Sequence, residues 1–221
     1  MIVTIDGPAG AGKSTIAILL AKRLGFHVLD TGAMYRALTY HAQQAEVNLS
    51  DANALVDCGL ECKLQIKNGA LHLNGKVLGQ EIRTPKVSND IHYVADNVQI
   101  RQFLVFLQRQ FVDSDNFVSE GRDQGTIVFP NAICKFFLTA SVENRARRRQ
   151  VQMESQGQPT VYDEVLADQL ERDRRDQCRS VGRLLKALDA MAIETDDMTL
   201  EVVVEHLSQI VLTRSKQLNI S

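Results

Sequence analysis

Gly7-Pro8-Ala9-Gly10-Ala11-Gly12-Lys13-Ser14 is the stretch on which the fold turns. It satisfies the spacing G-x-x-x-x-G-K-[ST], in which glycines without a Cβ let successive backbone N–H groups turn inward around a polyphosphate. The flanks agree with that mechanism. Ile2 to Ile5 is a short β-branched run ending in Asp6-Gly7, and Ile16, Ala17, Leu19, Leu20 and Leu24 recur at helical spacing from Lys13 until Gly25 stops them. The order is strand, glycine loop, helix, so the positive end of the helix adds to the loop. Gly7, Pro8, Ala9, Gly10, Ala11, Gly12, Lys13, Ser14 and Thr15 are therefore expected to bind ATP. Lys13 would neutralise β- and γ-phosphate charge, and the Ser14 hydroxyl would ligate Mg²⁺.

Outward from the loop, a second strand over Phe26 to Leu29 ends at Asp30-Thr31-Gly32, and a helix of the type Ala33 to Gln44 follows. Strands alternating with helices predict a parallel α/β sheet covered on both faces, with ligand sites beyond the carboxyl ends of the strands. Between Gly59 and Gln80 the rhythm changes. Lys63-Leu64-Gln65-Ile66 alternates with period two, Asn68-Gly69 makes a turn, and Leu71-His72-Leu73 meets Lys76-Val77-Leu78 across Asn74-Gly75. Two Asn-Gly turns so close together predict antiparallel hairpins, hence a small insertion. Thr84-Pro85 starts the returning helix, and another runs from about Val98 to Phe111. Phe117-Val118-Ser119 reads as a buried strand running into Glu120-Gly121-Arg122-Asp123, and Ile133 to Leu138 as the next, before a polar helix from about Val142. Thr160 and Asp163 resemble a capping box for a further helix. The chain closes with a strand near Ala192-Ile193 and an amphipathic helix over roughly Leu200 to Leu218.

The composition of the 221 residues, 44% apolar and 24% charged, excludes fibrous, disordered and disulfide-scaffold classes. Its 25 basic and 27 acidic side chains leave a net charge of −2, which gives no global field for a nucleic-acid polymer or an anionic membrane. No basic start, cleavage site or spanning-length apolar run is present, so a cytoplasmic protein without a membrane partner is expected. Cys58, Cys62, Cys134 and Cys178 lack the spacing of a zinc array or a disulfide framework and read as small buried residues; His27, His41, His72, His92 and His206 show no ligand spacing either.

A polyphosphate loop alone does not separate kinase, GTPase and motor. The guanine-reading N-K-x-D tetrad is absent, and the chain is short for a motor with output elements. A small-molecule kinase remains, and the arginines agree. Nine of the sixteen lie between Arg145 and Arg183, while no lysine occurs from Phe136 to Leu185. Guanidinium is a flat bidentate donor matched to phosphate, so this segment suggests a cover over transferring phosphoryl groups. Ion pairs with Glu143, Glu154, Asp163, Glu164, Asp168, Glu171, Asp173 and Asp176 are the alternative for about half of them.

Five blocks in order resemble the bacterial cytidylate kinase family of nucleoside-monophosphate kinases: Val3 to Ser14, Leu29 to Arg36, Glu81 to Thr84, Glu120 to Pro130, and Arg172-Asp173-x-x-Asp176-x-x-Arg179. The resemblance covers nearly the whole chain. It implies an α/β P-loop NTPase-type fold with a five-stranded parallel sheet covered by helices. Residues 1–58 and 96–221 would form the core, 59–95 a small β-containing monophosphate-binding insert, and about 145–183 a short arginine-rich lid. The reaction implied is ATP-dependent phosphorylation of CMP and dCMP to CDP and dCDP, with Mg²⁺ as cofactor and a monomer as the working form.

Residue roles are implied in the same way. Thr31, Arg36 and Arg122 match residues that hold the acceptor's α-phosphate, with Tyr35 in the same substrate set. Arg101 and Asp123 match readers of the cytosine edge, where a carboxylate accepts from the N4 amino group and a guanidinium donates to N3 and O2. Arg172 and Asp176 correspond to sugar contacts and Arg179 to a phosphate contact; Lys13, Arg122 and Arg179 form the catalytic set. The sequence departs from the family at three places. A base-contacting serine aligns with His92, so the donor there is an imidazole or is supplied by Ser88; a Pro-Leu pair reads Arg183-Leu184, and an Asp-Thr pair reads Glu194-Thr195. Two rivals stay open at this point: a nucleotide-binding sensor that retains the loop without transfer, and a related kinase acting on UMP, AMP or shikimate.

Overall fold

The computed structural model describes residues 1–67, 69–112, 115–155 and 157–218. Two compact units emerge, one formed by Met1–Val28 with Asp115–Ser221 and one by Leu29–Ser114.

The first unit is built around β1 (Ile2–Asp6) and the helix α1 (Lys13–Leu24) that follows the glycine loop. Gly25 ends α1 in the left-handed conformation, with φ 69° and its N–H on the Ala21 carbonyl, as its position in the sequence predicts. The parallel sheet has the order β2-β6-β1-β7-β8, with β2 at His27–Asp30, β6 at Phe117–Gly121, β7 at Cys134–Thr139 and β8 at Met191–Glu194. This is the expected five-stranded P-loop-type sheet. β1 is central, and its Ile5 lies beside Glu120 on one side and Phe136 on the other. Val3, Ile5, Ile16, Leu20, Val118, Phe136 and Leu138 are sealed in one apolar cluster with Val203 and Leu207 of α8 (Leu200–Leu218). Burial on both faces explains why β1 and β6 show no apolar/polar alternation: every residue of β6 and all but the first of β1 are buried.

The second unit packs α2 (Thr31–Gln44), α3 (Ala52–Glu61), α4 (Pro85–Asp96) and α5 (Val98–Phe111) with a separate antiparallel sheet. That sheet has the order β3-β4-β5, from Leu64–Lys67, Ala70–Leu73 and Lys76–Val77. The Asn74-Gly75 turn has positive φ at both residues, 50° and 85°, which the two-residue hairpin requires. Asn68 of the other expected turn lies outside the described residues. Thr84 accepts the Val87 N–H and caps α4 with Pro85 in the first turn, as expected. The segment 59–95 falls within this unit, which reaches further, to Leu29 and Ser114.

Three local expectations are corrected. The α2 helix begins at Thr31, not Ala33, because the Asp30 carboxylate accepts the Ala33 N–H at 2.8 Å and caps the helix early. Thr160 and Asp163 form no capping box. Helix α7 (Tyr162–Cys178, after α6 at Val142–Ser155) has Val161 at its N-cap with no side-chain bond, and the buried Thr160 hydroxyl finds no hydrogen-bond partner one residue too early. Of the four cysteines only Cys62 and Cys134 are buried; Cys58 is half-buried and Cys178 is exposed on the last turn of α7. Helix α3 had no counterpart in the sequence reading, although Asp51 caps it by accepting from Asn53 and Ala54 N–H.

Candidate active site

The loop from Gly7 to Gly12 leaves the carboxyl end of β1 and enters α1. Gly7 has φ 148°, and a Cβ there would stand 2.1 Å from the Leu138 carbonyl oxygen, so no other residue fits. Gly12 occupies the N-cap of α1 with φ 86° and offers no capping side chain, which leaves the first N–H groups of the helix to a ligand. Lys13 is buried and folds back to donate from Nζ to the Pro8 carbonyl at 2.7 Å. Burial first, and then the positive charge of Arg122, push the Lys13 ammonium down to about 7, with Glu120 opposing them. Ala11 is sealed in the apolar cluster, while Thr15 is exposed on the first turn of α1.

Ser14 donates from Oγ to the Glu120 carboxylate at 2.8 Å. Glu120 is thereby a candidate site residue, one that the expectations from sequence leave out. The signal was available: it is a carboxylate one residue from the end of β6, beside the strand that carries the loop. Together the Ser14 hydroxyl and Glu120 form a hard oxygen pair of the kind Mg²⁺ takes when substrate phosphates and water complete its shell. Among the described residues no group of three or more His, Cys, Asp or Glu converges that could hold a metal ion.

After β6 the chain passes through Arg122 and Asp123 into a π-helical turn over Gln124–Val128. Arg122 donates from Nε to Asp176 Oδ2 at 2.7 Å, and Arg179 from Nη2 to Asp176 Oδ1 at 3.1 Å. The structure thus brings Arg122, Asp176 and Arg179 together around one buried carboxylate. Burial works against the Asp176 anion, but Arg122, Arg179 and Arg172 outweigh it and hold the carboxyl at about 2. Asp123 is buried at the head of the turn.

The remaining arginines divide. Arg145 is buried and braces the loop: it donates to the Ala140 and Ala9 carbonyls at 3.0 and 3.1 Å and pairs with Asp173 of α7 at 2.6 Å. Arg148 holds the Thr195 carbonyl at 2.7 Å, and Arg174 and Arg175 both pair with Glu171 on the exposed face. The ion-pair reading therefore holds for several of them, and Arg145 is committed to structure.

In the second unit, Thr31 is buried in the first turn of α2 and Tyr35 one turn later. Arg36 and Arg83 both reach Asp30, at 3.4 and 2.9 Å. Arg36 and the Ala33 N–H, with Arg83, override the burial of Asp30 and lower its pKa. Arg101 is buried, donates to the Ala95 carbonyl at 3.0 Å and lies 5.3 Å from the Tyr35 ring centroid, a cation–π contact. His92 on α4 sets Nδ1 2.7 Å from the Asn89 carbonyl and packs its ring 4.1 Å from Tyr93. A carbonyl only accepts, so Nδ1 donates to it, and the donor expected at this ring nitrogen is engaged within α4.

The profile of the cytidylate kinase family matches residues 3–213. The chain belongs to the cytidylate kinase family. The cytidylate kinase of Rhodopirellula baltica is 46% identical over 211 residues, covering 96% of this chain and 92% of that one. That of Caldanaerobacter subterraneus subsp. tengcongensis is 40% identical over 214 residues, covering 97% and 96%. An uncharacterized protein from Eubacterium ventriosum shares the fold with a TM-score of 0.52 at 13% identity, over 96% of this chain and 98% of that one. A protein from Thermus thermophilus does so at 0.50 and 19% identity, over 96% of each chain. Membership makes the chain a nucleoside-monophosphate kinase, a phosphotransferase that uses ATP.

Proposed function

We propose that this cytidylate kinase family member transfers the γ-phosphoryl group of ATP to the 5′-phosphate of CMP or dCMP, giving CDP or dCDP and ADP. The observation that carries the reading is the pair of guanidinium groups, Arg122 and Arg179, held on the buried Asp176 in the same unit as the glycine loop and Lys13. Phosphoryl transfer needs positioning and charge neutralisation more than a covalent nucleophile. Arginines fixed in advance by a buried carboxylate supply both without reorganising during the reaction.

In this reading Gly7 to Thr15 bind ATP, and Lys13, Arg122 and Arg179 act on the transferring group. Mg²⁺, held by Ser14 and Glu120, would supply charge neutralisation between the phosphates when bound. Thr31, Tyr35, Arg36 and Arg122 take the acceptor phosphate; Arg172 and Asp176 take the sugar. Arg101 and Asp123 read the cytosine edge, with Asp123 accepting from the N4 amino group, and His92 stands at the base-contact position. Uracil offers an acceptor at that position, which sets acceptor against acceptor, so UMP would be disfavoured. The segment 59–95 serves as the monophosphate-binding insert, about 145–183 as the lid, and 1–58 with 96–221 as the core. The acceptor phosphate is already ionised, so Asp123 orients and does not act as a base. A cytoplasmic monomer without a nucleic-acid or membrane partner completes the reading. The net charge of −2 supports the part of it that concerns nucleic acid and anionic membranes, since it gives no global field toward either.

A coupled assay of ADP release with CMP, dCMP, UMP, AMP, GMP and shikimate tests the reading. CMP and dCMP should be turned over fastest. The absence of ADP release with every one of these acceptors would favour a nucleotide sensor, and a preference for UMP or AMP would overturn the base-reading residues.

A further inference from the structure

Asp6, the last residue of β1, is 4% exposed, and no role in binding ATP or acceptor falls to it above. Its two carboxylate oxygens accept backbone N–H groups from residues 118 and 119 positions further along the chain. Oδ1 takes Gln124 N–H at 2.8 Å and Oδ2 takes Gly125 N–H at 2.7 Å. Those N–H groups open the π-helical turn that follows Arg122 and Asp123, and Asp123 at the head of that turn makes no capping bond to it. A helical turn leaves its first N–H groups to be satisfied from outside, and a carboxylate is the strongest partner for them. Asp6 thus caps the turn from the neighbouring strand.

The fit is close on every side. A Cβ on Gly125 would stand 3.0 Å from Thr4 Oγ1, 3.2 Å from Lys135 Cδ and 3.4 Å from Asp6 Oδ2, so the turn lies flush against β1. Gln124 is tied again through Oε1, which accepts from Ser119 Oγ at 2.7 Å. Burial pushes the Asp6 carboxyl up to about 6, with the Gly125 and Gln124 amides working against that rise. A group held under such a desolvation penalty, when an asparagine would fill the same volume, answers a requirement for two acceptor oxygens.

We propose that Asp6 is a positioning residue for the transfer: by capping the turn after β6 it sets Arg122 and Asp123 relative to the glycine loop, which starts at the very next residue. The inference rests on the assignment of Arg122 to the transferring phosphates. Asp6 itself touches neither nucleotide; it keeps the guanidinium that meets the acceptor phosphate in register with the lysine and amides that hold the donor.

The test compares Asp6→Asn, Asp6→Ala and Gly125→Ala with Arg122→Ala and with the Asp6→Asn/Arg122→Ala double variant. Asparagine keeps one acceptor and turns an NH₂ group toward an N–H donor, so one of the two capping bonds is lost. Asp6→Asn is expected to lower kcat with CMP at least about tenfold while ATP binding in the absence of CMP stays within about threefold, since a single misplacement of about 1 Å costs about 10²-fold. Gly125→Ala keeps the carboxylate but crowds Thr4 Oγ1, Lys135 Cδ and Asp6 Oδ2 by a few tenths of an ångström, so it should show the same split in smaller measure even if the Asp6 variants fold poorly. Arg122→Ala should lose at least about 10³-fold, and adding Asp6→Asn to it should cost little more, because the two act through one group. Amide exchange at Gln124 and Gly125 should quicken in Asp6→Asn. Unchanged kcat in both Asp6→Asn and Gly125→Ala would overturn the proposal, as would fully additive losses in the double variant or a fall in ATP affinity matching the fall in kcat. Near-normal turnover by Arg122→Ala would instead refute the Arg122 assignment. In that case faster exchange at Gln124 and Gly125 in Asp6→Asn would support the cap, and unaltered exchange would overturn it.

Discussion

The Asp176 carboxylate, enclosed by Arg122 and Arg179, carries a pH signature that separates it from the surface pairs. Its pKa is lowered from the ordinary aspartate value to about 2. A lowered value stabilises the fold fully above the unfolded pKa, near pH 4, and that stabilisation is lost as pH falls toward the folded value. At about 1.4 kcal/mol per unit the contribution is on the order of 2 kcal/mol. Asp176→Asn should therefore unfold at lower denaturant concentration than the parent at pH 7, and the gap in midpoints should narrow through pH 4 to 2. A constant gap would show that packing, not charge, holds the site. Arg174 and Arg175 on the exposed Glu171 illustrate the contrast: equally good distances, but in water, where such pairs contribute little.

At the scale of elements, short-range signals match the structure at the helix ends that carry a cap, a proline or a glycine. The α1 helix has its glycine loop before and Gly25 after, and α4 has Thr84-Pro85; both appear where the sequence puts them. The α5 helix also appears at its expected bounds, opened by Asn97, which accepts from Gln99 and Ile100 N–H. The α7 start was misread because Thr160 and Asp163 match a capping pattern, while the chain turns into the helix one residue later. Val161 then stands at the N-cap, 58% exposed and without a side-chain acceptor. Val161→Asp should supply that acceptor and raise stability by about 0.5–2 kcal/mol, a rise in melting temperature of about 2–4 °C per kcal/mol for a chain of this size. A flat or lowered melting curve would mean that Thr160 and its surroundings fix this entry by other contacts.

For the molecule as a whole, the net charge of −2 averages over arginines whose positive charge is largely answered in place. Arg145 with Asp173, Arg122 and Arg179 with Asp176, Arg36 and Arg83 with Asp30 account for much of it. Such a surface should not retain a DNA duplex at about 0.15 M salt, where nonspecific binding depends on the number of phosphates neutralised. Retention with a steep salt slope in a filter assay would reverse that reading. Phosphate is instead met one group at a time, by guanidinium and amide donors prepared for it.

By itself the sequence determined the strand-loop-helix unit, the antiparallel hairpin at Asn74-Gly75 and the placement of charged residues at strand ends, because caps, turns and periodicity act over a few residues. It also carried the family through five ordered blocks. Only the tertiary structure decided that Ser14 meets Glu120, that Asp6 caps the turn at Gln124 and Gly125, and that Arg145 braces the loop while Arg122 and Arg179 share a carboxylate. Those partners are three to 136 residues apart in the chain, most of them more than a hundred. Ser14 and Asp6 meet their partners because β6 lies directly beside β1 in the sheet, and Arg145 reaches the loop because β7, which leads into α6, lies on the other side of β1; no local propensity encodes these adjacencies.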